Sequence, residues 1–99
     1  MAAKLFLSPE ADQDIEEAYL WYEKQRFGLG EDFLRSVGAA LDIIQRLPEL
    51  RAPMNRRYRR ALLRRFPYCI FYKFDGAIVT VTYVSHTARD PAKWRARLT

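Results

Sequence analysis

The chain reads YCIFYKFDGAIVTVTYVSH over residues 68–86, and this stretch decides the fold. Aromatic and β-branched residues dominate both of its halves, which predicts one strand over residues 68–74 and another over residues 77–86. Between them stands Asp75-Gly76, a dipeptide typical of a primed hairpin turn, in which both residues take positive φ. The stretch therefore predicts an antiparallel β-hairpin.

A third strand is predicted immediately upstream, over residues 58–66. Alternation along this strand puts Arg60 and Arg64 on one face of the sheet. It puts Arg59 and Arg65 on the opposite face. A strand that carries charge on both faces is not buried on both, so we expect at least one arginine pair to meet solvent or a partner.

The first half of the chain predicts a short strand at residues 4–7 and then two helices. The first helix, over residues 9–26, begins at a capping Ser8-Pro9 and ends before Gly28. The second opens at Glu31-Asp32 and is ended by Pro48. Their apolar stripes predict the helical part of the core: Ala11, Ile15, Ala18, Tyr19 and Tyr22, then Phe33, Val37, Ala40, Leu41, Ile44 and Leu47.

The link Gly28-Leu29-Gly30 is so short that the two helices are predicted to form an antiparallel hairpin. Gly38 lies inside the second helix, where it is unfavourable by about 1 kcal/mol relative to alanine. We therefore expect it to permit close approach of the first helix.

These elements predict one α+β domain over residues 1–99 in the order β-αα-βββ. An antiparallel sheet would pack against the N-terminal helical hairpin and bury both helical stripes. Residues 49–57 form a loop on this prediction, and residues 91–98 form a short terminal helix.

Charge is divided unevenly along the chain. Residues 1–50 hold ten acids and five bases, for a net charge of −5, whereas residues 51–99 hold two acids and twelve bases, for +10. Arginine is always charged and grips carboxylate and phosphate, so the basic half predicts an acidic partner, either nucleic acid or an acidic protein segment. Seven arginines crowd residues 51–65: Arg51, Arg56, Arg57, Arg59, Arg60, Arg64 and Arg65.

The residues that could carry chemistry are few. His86, the one histidine, is interpreted first as a structural residue at a strand end, with a general acid or base as the alternative. Cys69, the one cysteine, is expected in the core and cannot form an internal disulfide. Without a metal-ligand constellation or a phosphate loop, we expect no metal and no cofactor. The single cysteine and the lack of a leader or membrane span indicate a cytoplasmic protein.

Two large apolar residues of the first helix, Leu20 and Trp21, lie off its core stripe. Any part of them that stays exposed would form an apolar patch, which usually marks a protein partner.

The chain resembles toxins of the RelE/ParE superfamily of type II toxin–antitoxin modules over nearly its whole length. The resemblance begins at residues 7–15 and continues through Leu47-Pro48. It is strongest at residues 64–72 and at residues 84–91 with Trp94, in the pattern Pro-Tyr-x-Ile-x-Tyr followed by His-x-x-Arg-Asp-Pro. The β-αα-βββ order agrees with the fold that the resemblance implies.

The superfamily has two activities. The RelE-like branch cleaves messenger RNA on the ribosome, and for that branch the resemblance implies a site of Arg60, Arg65 and His86. Such enzymes typically carry arginine where this chain has Cys69, and some end in His-Tyr where it has His86-Thr87. The ParE-like branch poisons DNA gyrase without catalytic residues of its own, and the Pro-Tyr and His-x-x-Arg-Asp-Pro features are more similar to it.

The resemblance thus favours a non-enzymatic, ParE-like inhibitor of DNA gyrase that a cognate antitoxin holds silent in a hetero-oligomer. An mRNA endonuclease acting on the ribosome, or an inactive co-repressor that only binds the antitoxin, are the alternatives. The antitoxin segment, usually flexible and often acidic, would use the apolar groove and the arginine row. The residues expected to bind partners are Leu20, Trp21, Arg56, Arg57, Arg59, Arg60, Arg64, Arg65, Arg89 and Trp94.

Overall fold

A four-stranded sheet with a helical hairpin on one face forms the body of the protein. The computed structural model describes residues 2–55, 57–88 and 91–98, with the backbone alone at 91–94. The predicted α+β class and element order are confirmed. Along the chain the elements are β1 (Lys4–Leu7), α1 (Pro9–Gln25), α2 (Leu29–Arg46), β2 (Tyr58–Leu62), β3 (Tyr68–Phe74), β4 (Ile78–His86) and α3 (Pro91–Leu98).

Helix α1 begins where the sequence predicts. The Ser8 hydroxyl accepts a hydrogen bond from the Ala11 N–H at 3.1 Å, which satisfies one of the free donors of the first turn. Pro9 follows at a position that needs no N–H. The inward face of α1 matches the predicted stripe, with Tyr19 half-buried and four residues fully buried: Ala11, Ile15, Ala18 and Tyr22.

The turn between α1 and α2 is held by a carboxylate. Gly28 takes the predicted left-handed conformation with φ 87°. The Glu23 carboxylate accepts hydrogen bonds from the N–H of Gly28 at 3.1 Å and from the N–H of Gly30 at 3.0 Å. An acid at the N-terminus of α2 also complements the positive end of its dipole. The hairpin is therefore fixed by an internal anionic cap.

Close contact between the helices occurs at Gly30 and not at Gly38, so the expectation for Gly38 is wrong. A Cβ built on Gly30 would lie 2.8 Å from ring carbons of Tyr19, whereas one built on Gly38 would meet nothing within 4 Å. Gly38 lies on the exposed face of α2, so it does not meet the first helix.

Helix α2 buries most of its predicted stripe but not the last member. Leu47 is 54% exposed, because the helix ends at Arg46 and Leu47 already has non-helical φ and ψ. Its predicted place in the core is therefore wrong. Three residues of the stripe are fully buried and two are half-buried: Phe33, Val37 and Ile44, then Ala40 and Leu41.

The sheet is mixed, whereas the prediction had it antiparallel throughout. Its order is β1-β4-β3-β2, with β1 parallel to β4 and the other two pairs antiparallel. The helical hairpin explains the difference, because it returns the chain to the end of the sheet where β1 starts. There the Gln45 amide donates to the Ala3 carbonyl at 2.7 Å. Strand β2 then runs in the same direction as β1, and two hairpin reversals make β4 parallel to both.

Strand β2 ends at Leu62, four residues before the predicted end. The chain then turns through residues 63–67, with Arg65 at φ 72°, and the Leu63 N–H donates to the Tyr68 carbonyl at 2.9 Å. Strand alternation therefore does not extend to Arg64 and Arg65. Their predicted assignment to opposite faces of a strand is wrong, because they lie in the β2–β3 turn.

The turn between β3 and β4 differs from a primed two-residue turn. Gly76 has φ 99°, but Asp75 does not have positive φ. The Asp75 side chain instead accepts hydrogen bonds from the N–H groups of Ala77 at 2.9 Å and Ile78 at 2.8 Å. These bonds lower the pKa of the Asp75 carboxyl below its ordinary value of 3.8. The predicted hairpin is present, closed by an aspartate side chain.

A bulge at Thr82 sorts the side chains of β4 between two cores. Tyr72 pairs with Val81 and Phe71 with Tyr83, so Thr82 is the extra residue. Val81 and Val84 consequently face the helices, whereas Tyr83 faces the other side, here called the outer face. Five buried residues form the outer cluster: Tyr58, Cys69, Phe71, Tyr83 and Leu98.

Helix α3 covers this outer cluster and is tied to α1. Leu98 is buried in the cluster, and the Arg97 guanidinium lies 4.3 Å above the ring centre of Tyr83. The same guanidinium donates to both carboxylate oxygens of Asp14, at 3.2 and 2.8 Å. Among the residues with described side chains, this ion pair connects the C-terminal helix to the N-terminal one.

Candidate partner-binding groove

A groove of about 440 Å³ runs between α2 and the edge strand β2. Helix α2 contributes its floor from a stripe of small and branched side chains, and β2 contributes the opposite wall with Ala61 and Leu62. Leu62 is largely exposed although it is apolar, which leaves hydrophobic surface at the groove mouth. The α2 residues of the floor are Ala39, Ala40, Ile43 and Ile44.

The rim of the groove is basic, with four arginines around one acid, Asp32. Asp32 is shared by two of them, since Arg35 Nη2 lies 3.2 Å from Oδ1 and Arg65 Nη2 lies 3.7 Å from Oδ2. One carboxylate cannot neutralise four guanidinium groups, so the rim carries a net positive charge. The four arginines are Arg35, Arg51, Arg64 and Arg65.

The local fold explains why the arginines meet at this groove. The Ser36 hydroxyl of α2 donates to the Arg64 carbonyl at 2.7 Å and pins the β2–β3 turn against the helix. Arg65 occupies the left-handed region, which aims its side chain back toward Asp32 and over the Phe66 ring. Arg51 is drawn toward β2, because its carbonyl accepts a hydrogen bond from the Arg59 guanidinium.

The predicted arginines therefore divide between surfaces. Arg64 and Arg65 line the groove, whereas Arg60 is exposed on the outer face, paired in register with Phe71. Arg57 is exposed in the loop before β2, and Arg59 is half-buried on the helix side of that strand. Three further predictions, for Arg56, Arg89 and the Trp94 side chain, lie outside the described residues.

The three residues expected of a nuclease site do not converge. His86 pairs in register with Tyr68, and its ring lies 5.2 Å from the Tyr68 ring on the helix side of the sheet. Arg60 lies two strands away on the outer face, and Arg65 lies against α2. His86 Nδ1 accepts a hydrogen bond from the Ala88 N–H at 3.0 Å, at the end of β4.

Cys69 is buried in the outer cluster, as expected for a core residue. Burial raises the pKa of its thiol above the ordinary value of 9.0, and the Arg60 charge opposes this shift only in part. The thiol is therefore held in its neutral form, and it cannot supply the fixed positive charge that a nuclease site would require at this position.

Leu20 and Trp21 form a second surface, on the side of α1 that faces away from α2. They are 52% and 56% exposed. Their predicted position off the core stripe of α1 is confirmed. Neither residue lines the groove between α2 and β2.

Within the described ranges, no group of three or more His, Cys, Asp or Glu residues is arranged to hold a metal ion. None of the helices in those ranges has the length and apolar character needed to cross a membrane.

Arg35 and the floor of the groove were not identified from the sequence. The signal was present as a second stripe on α2, at residues 32, 35, 36, 39, 40 and 43, one helical step from the core stripe. A stripe of alanine, serine and isoleucine beside the core can as well be a solvated flank. Only the position of β2 shows that it lines a groove.

Comparisons with known proteins agree with this architecture. The family model described as "ParE toxin of type II toxin-antitoxin system, parDE" matches residues 5–91. No curated protein matches the chain. Among solved structures, the chain is similar to one from the "Chromosomal ParDE TA system from P. aeruginosa", with a TM-score of 0.64 and 16% identity. That likeness covers 86% of this chain and 96% of the other, and at this identity it concerns the fold alone.

Proposed function

Since the chain belongs to the ParE toxin family of type II toxin–antitoxin systems, we propose that it inhibits DNA gyrase and is neutralised by a cognate antitoxin. The observation that carries the proposal is the family match over residues 5–91, together with a site built for binding. The protein acts, on this proposal, by docking onto a larger enzyme, and it supplies no catalytic group of its own.

The dispersal of polar groups supports docking over RNA cleavage. Cleavage by attack of a ribose 2′-hydroxyl needs a base, an acid and cations around one phosphate. Here Arg60 and His86 are separated by the thickness of the sheet, and Arg65 is engaged with Asp32 on α2. Cys69 adds no charge. These three residues lie on different elements and on different faces of the sheet, which does not favour their joint contact with one phosphate.

The groove between α2 and β2 supports the antitoxin part of the proposal. Its floor would bury apolar side chains of a bound segment, at about 25 cal/mol per Å² of apolar surface removed from water. Its arginine rim would pair with acidic side chains of the same segment, and planar guanidinium groups do this with two hydrogen bonds each. These gains would offset the entropy that a flexible segment loses when it becomes ordered.

Strand β2 supports an extended binding mode for part of that segment. It is one of the two edge strands of the sheet, and an isolated bridge between Pro53 and Arg59 covers its beginning. Ala61 and Leu62 lie beyond this bridge, alongside the groove. A peptide that entered the groove there could add main-chain hydrogen bonds to the edge.

Expression of the protein under tight control tests the proposal in cells. We expect filamentous growth and induction of the DNA-damage response, with translation and messenger RNA intact. In toxin–antitoxin modules the antitoxin is encoded beside the toxin, so we expect its gene in the adjacent reading frame. Co-expression of that gene product should restore growth and yield a stable complex with this chain.

Two other outcomes would replace the proposal. Rapid arrest of translation with cleaved messages would assign the protein to the ribosome-dependent endonucleases. A folded protein that binds the adjacent gene product but does not impair growth would be an inactive co-repressor.

A further inference from the structure

We propose that the outer surface of α1 is a second docking site, for a basic polypeptide segment that carries apolar side chains. This surface, called here the α1 surface, consists of Asp12, Glu16, Glu17, Leu20 and Trp21. The exposed Phe27 follows in the turn after α1. The α1 surface is opposite in charge to the groove between α2 and β2. The proposal does not rest on the gyrase or antitoxin assignments.

The α1 surface combines exposed apolar area with unneutralised acid. Leu20 and Trp21 are each more than half exposed, and Phe27 is 93% exposed. Three large apolar side chains within eight residues are thus exposed, and exposed apolar area of this kind marks protein contact sites. A contact site here would explain why α1 carries two large apolar residues, Leu20 and Trp21, that the core does not use.

Stabilisation of the helix dipole does not account for all the acids at this surface. Glu10 and Asp12 lie in the first turn and favour the helix dipole, but Glu16 and Glu17 lie in the middle of α1. Residues 9–23 contain no lysine or arginine, so α1 has no internal ion pairs over that length. In the described part of the chain, no base lies within 4.0 Å of Glu16 or Glu17. A negative surface on a protein with net charge +5 is complementary to a basic partner.

A cavity beside Trp21 gives the partner a specific point of entry. It has a volume of about 200 Å³ and lies between α1 and the ends of β3 and β4. Trp21 and Tyr68 supply aromatic walls, and Glu17 supplies a carboxylate whose described contact is a 3.3 Å hydrogen bond from the Gln13 amide. Asp14 also lines the cavity but is already paired with Arg97. Aromatic faces beside a carboxylate favour a guanidinium or ammonium group.

The basic and apolar requirements together select a polypeptide. Nucleic acid would be repelled by the acids of the α1 surface, and a free cation would leave Leu20 and Phe27 exposed. A segment in which arginine alternates with leucine meets both requirements, because the arginine enters the cavity and the leucine covers the patch.

Binding of a designed tetrapeptide to the full-length protein tests this proposal. The probe is acetylated, amidated Arg-Leu-Arg-Leu, and the matched peptides carry citrulline or glutamate in place of arginine. Binding is followed by the indole N–H signal of Trp21 in heteronuclear NMR spectra, which is distinguished from that of Trp94 with a Trp21→Phe variant. We expect the arginine peptide to bind saturably and about tenfold more tightly than the citrulline peptide.

Two variants locate the binding. Glu17→Gln should weaken the arginine peptide about threefold and reduce its dependence on salt. Trp21→Ala should weaken it about tenfold, as followed by the backbone amides of residues 14–21. Trp21 is exposed, so the variant should fold, which circular dichroism checks. Arg64→Ala, in the other groove, is the matched control and should leave the affinity unchanged.

Three results would overturn the proposal. They are no binding of the arginine peptide, equal or tighter binding of the citrulline or glutamate peptide, and unchanged affinity in a folded Glu17→Gln, Trp21→Ala double variant.

Discussion

Arg97 and Asp14 form a two-pronged ion pair that joins the last helix to the first, with Arg97 Nη2 2.8 Å from Asp14 Oδ2. The Asp14 side chain is 16% exposed, and Arg97 is 28% exposed. Asp14 also accepts a hydrogen bond from the Val84 N–H at 3.1 Å, next to the bulge of β4. The first helix, the last strand and the last helix therefore meet at one carboxylate.

Removal of the Arg97 side chain should destabilise the protein more than removal of an exposed charged side chain does. In Arg97→Ala the Asp14 carboxylate stays partly buried without its cation, which should lower the free energy of unfolding by about 2 kcal/mol. Urea unfolding measures this difference. Arg46→Ala is the control, because its pair with Asp42 is exposed and should contribute less than about 0.5 kcal/mol. Equal effects of the two variants would show that α3 is not held by this pair.

The pH dependence of stability should contain two opposite contributions. Burial raises the pKa of Asp14, against the N–H groups of Val84 and Arg97, so the folded state binds this proton more tightly than the unfolded state. Its contribution to the free energy of unfolding is largest below the ordinary value of 3.8 and decreases as pH rises through the folded pKa. Asp75 has a lowered pKa, so its contribution is present above 3.8 and is lost as pH falls through the folded pKa.

Neutral variants should separate these contributions. Compared with the parent, Asp14→Asn should remove the loss of stability that occurs above pH 3.8. Asp75→Asn should remove the loss that occurs below it. Urea unfolding over about pH 3 to 7 measures both. Profiles parallel to the parent for both variants would mean that neither carboxyl titrates differently on folding.

Alanine should have opposite effects at two glycines of α2. Gly30→Ala would place a Cβ 2.8 Å from the Tyr19 ring and 2.9 Å from the Glu23 carboxylate, and should lower the free energy of unfolding by about 1–3 kcal/mol. Gly38→Ala meets nothing within 4 Å in an exposed helix interior, and should raise it by about 1 kcal/mol. Thermal unfolding of both variants measures the contrast. A stabilising Gly30→Ala would refute the tight helix contact.

The two arginines Arg60 and Arg64 should differ in antitoxin binding. Arg64→Ala combined with Arg35→Ala removes half of the groove rim, and should weaken the complex about tenfold through the loss of charged hydrogen bonds. Arg60 is exposed on the outer face, away from the groove, so Arg60→Ala should leave the affinity for the antitoxin unchanged. Titration calorimetry with the adjacent gene product, at two salt concentrations, distinguishes them. Loss of binding in Arg60→Ala alone would move the antitoxin site to the outer face.

The elements of the fold could be predicted from local patterns, because capping residues, glycines and alternation act within a few positions. Ser8-Pro9, Gly28 and the strand over residues 68–74 illustrate this, and the structure confirms all three. The parallel pairing of β1 with β4 could not be predicted this way, since it depends on where the helical hairpin returns the chain.

The candidate site was predictable in composition but not in geometry. The density of arginine indicated a binding surface, yet alternation assigned Arg64 and Arg65 to strand faces that do not exist. A turn that begins at Leu63 and a left-handed Arg65 bring them beside α2. Arg35 and Ala39 lie on a second stripe of α2, but only the tertiary packing of β2 against that stripe makes it part of the site.

A supercoiling assay with purified DNA gyrase decides whether the protein inhibits this enzyme. We expect the purified protein to inhibit supercoiling and to cause cleaved DNA to accumulate. We also expect His86→Ala to inhibit as well as the parent and the antitoxin to abolish inhibition. Unimpaired supercoiling, accompanied by cleavage of ribosome-bound transcripts that is lost in His86→Ala, would show that the protein is a nuclease and not a gyrase inhibitor.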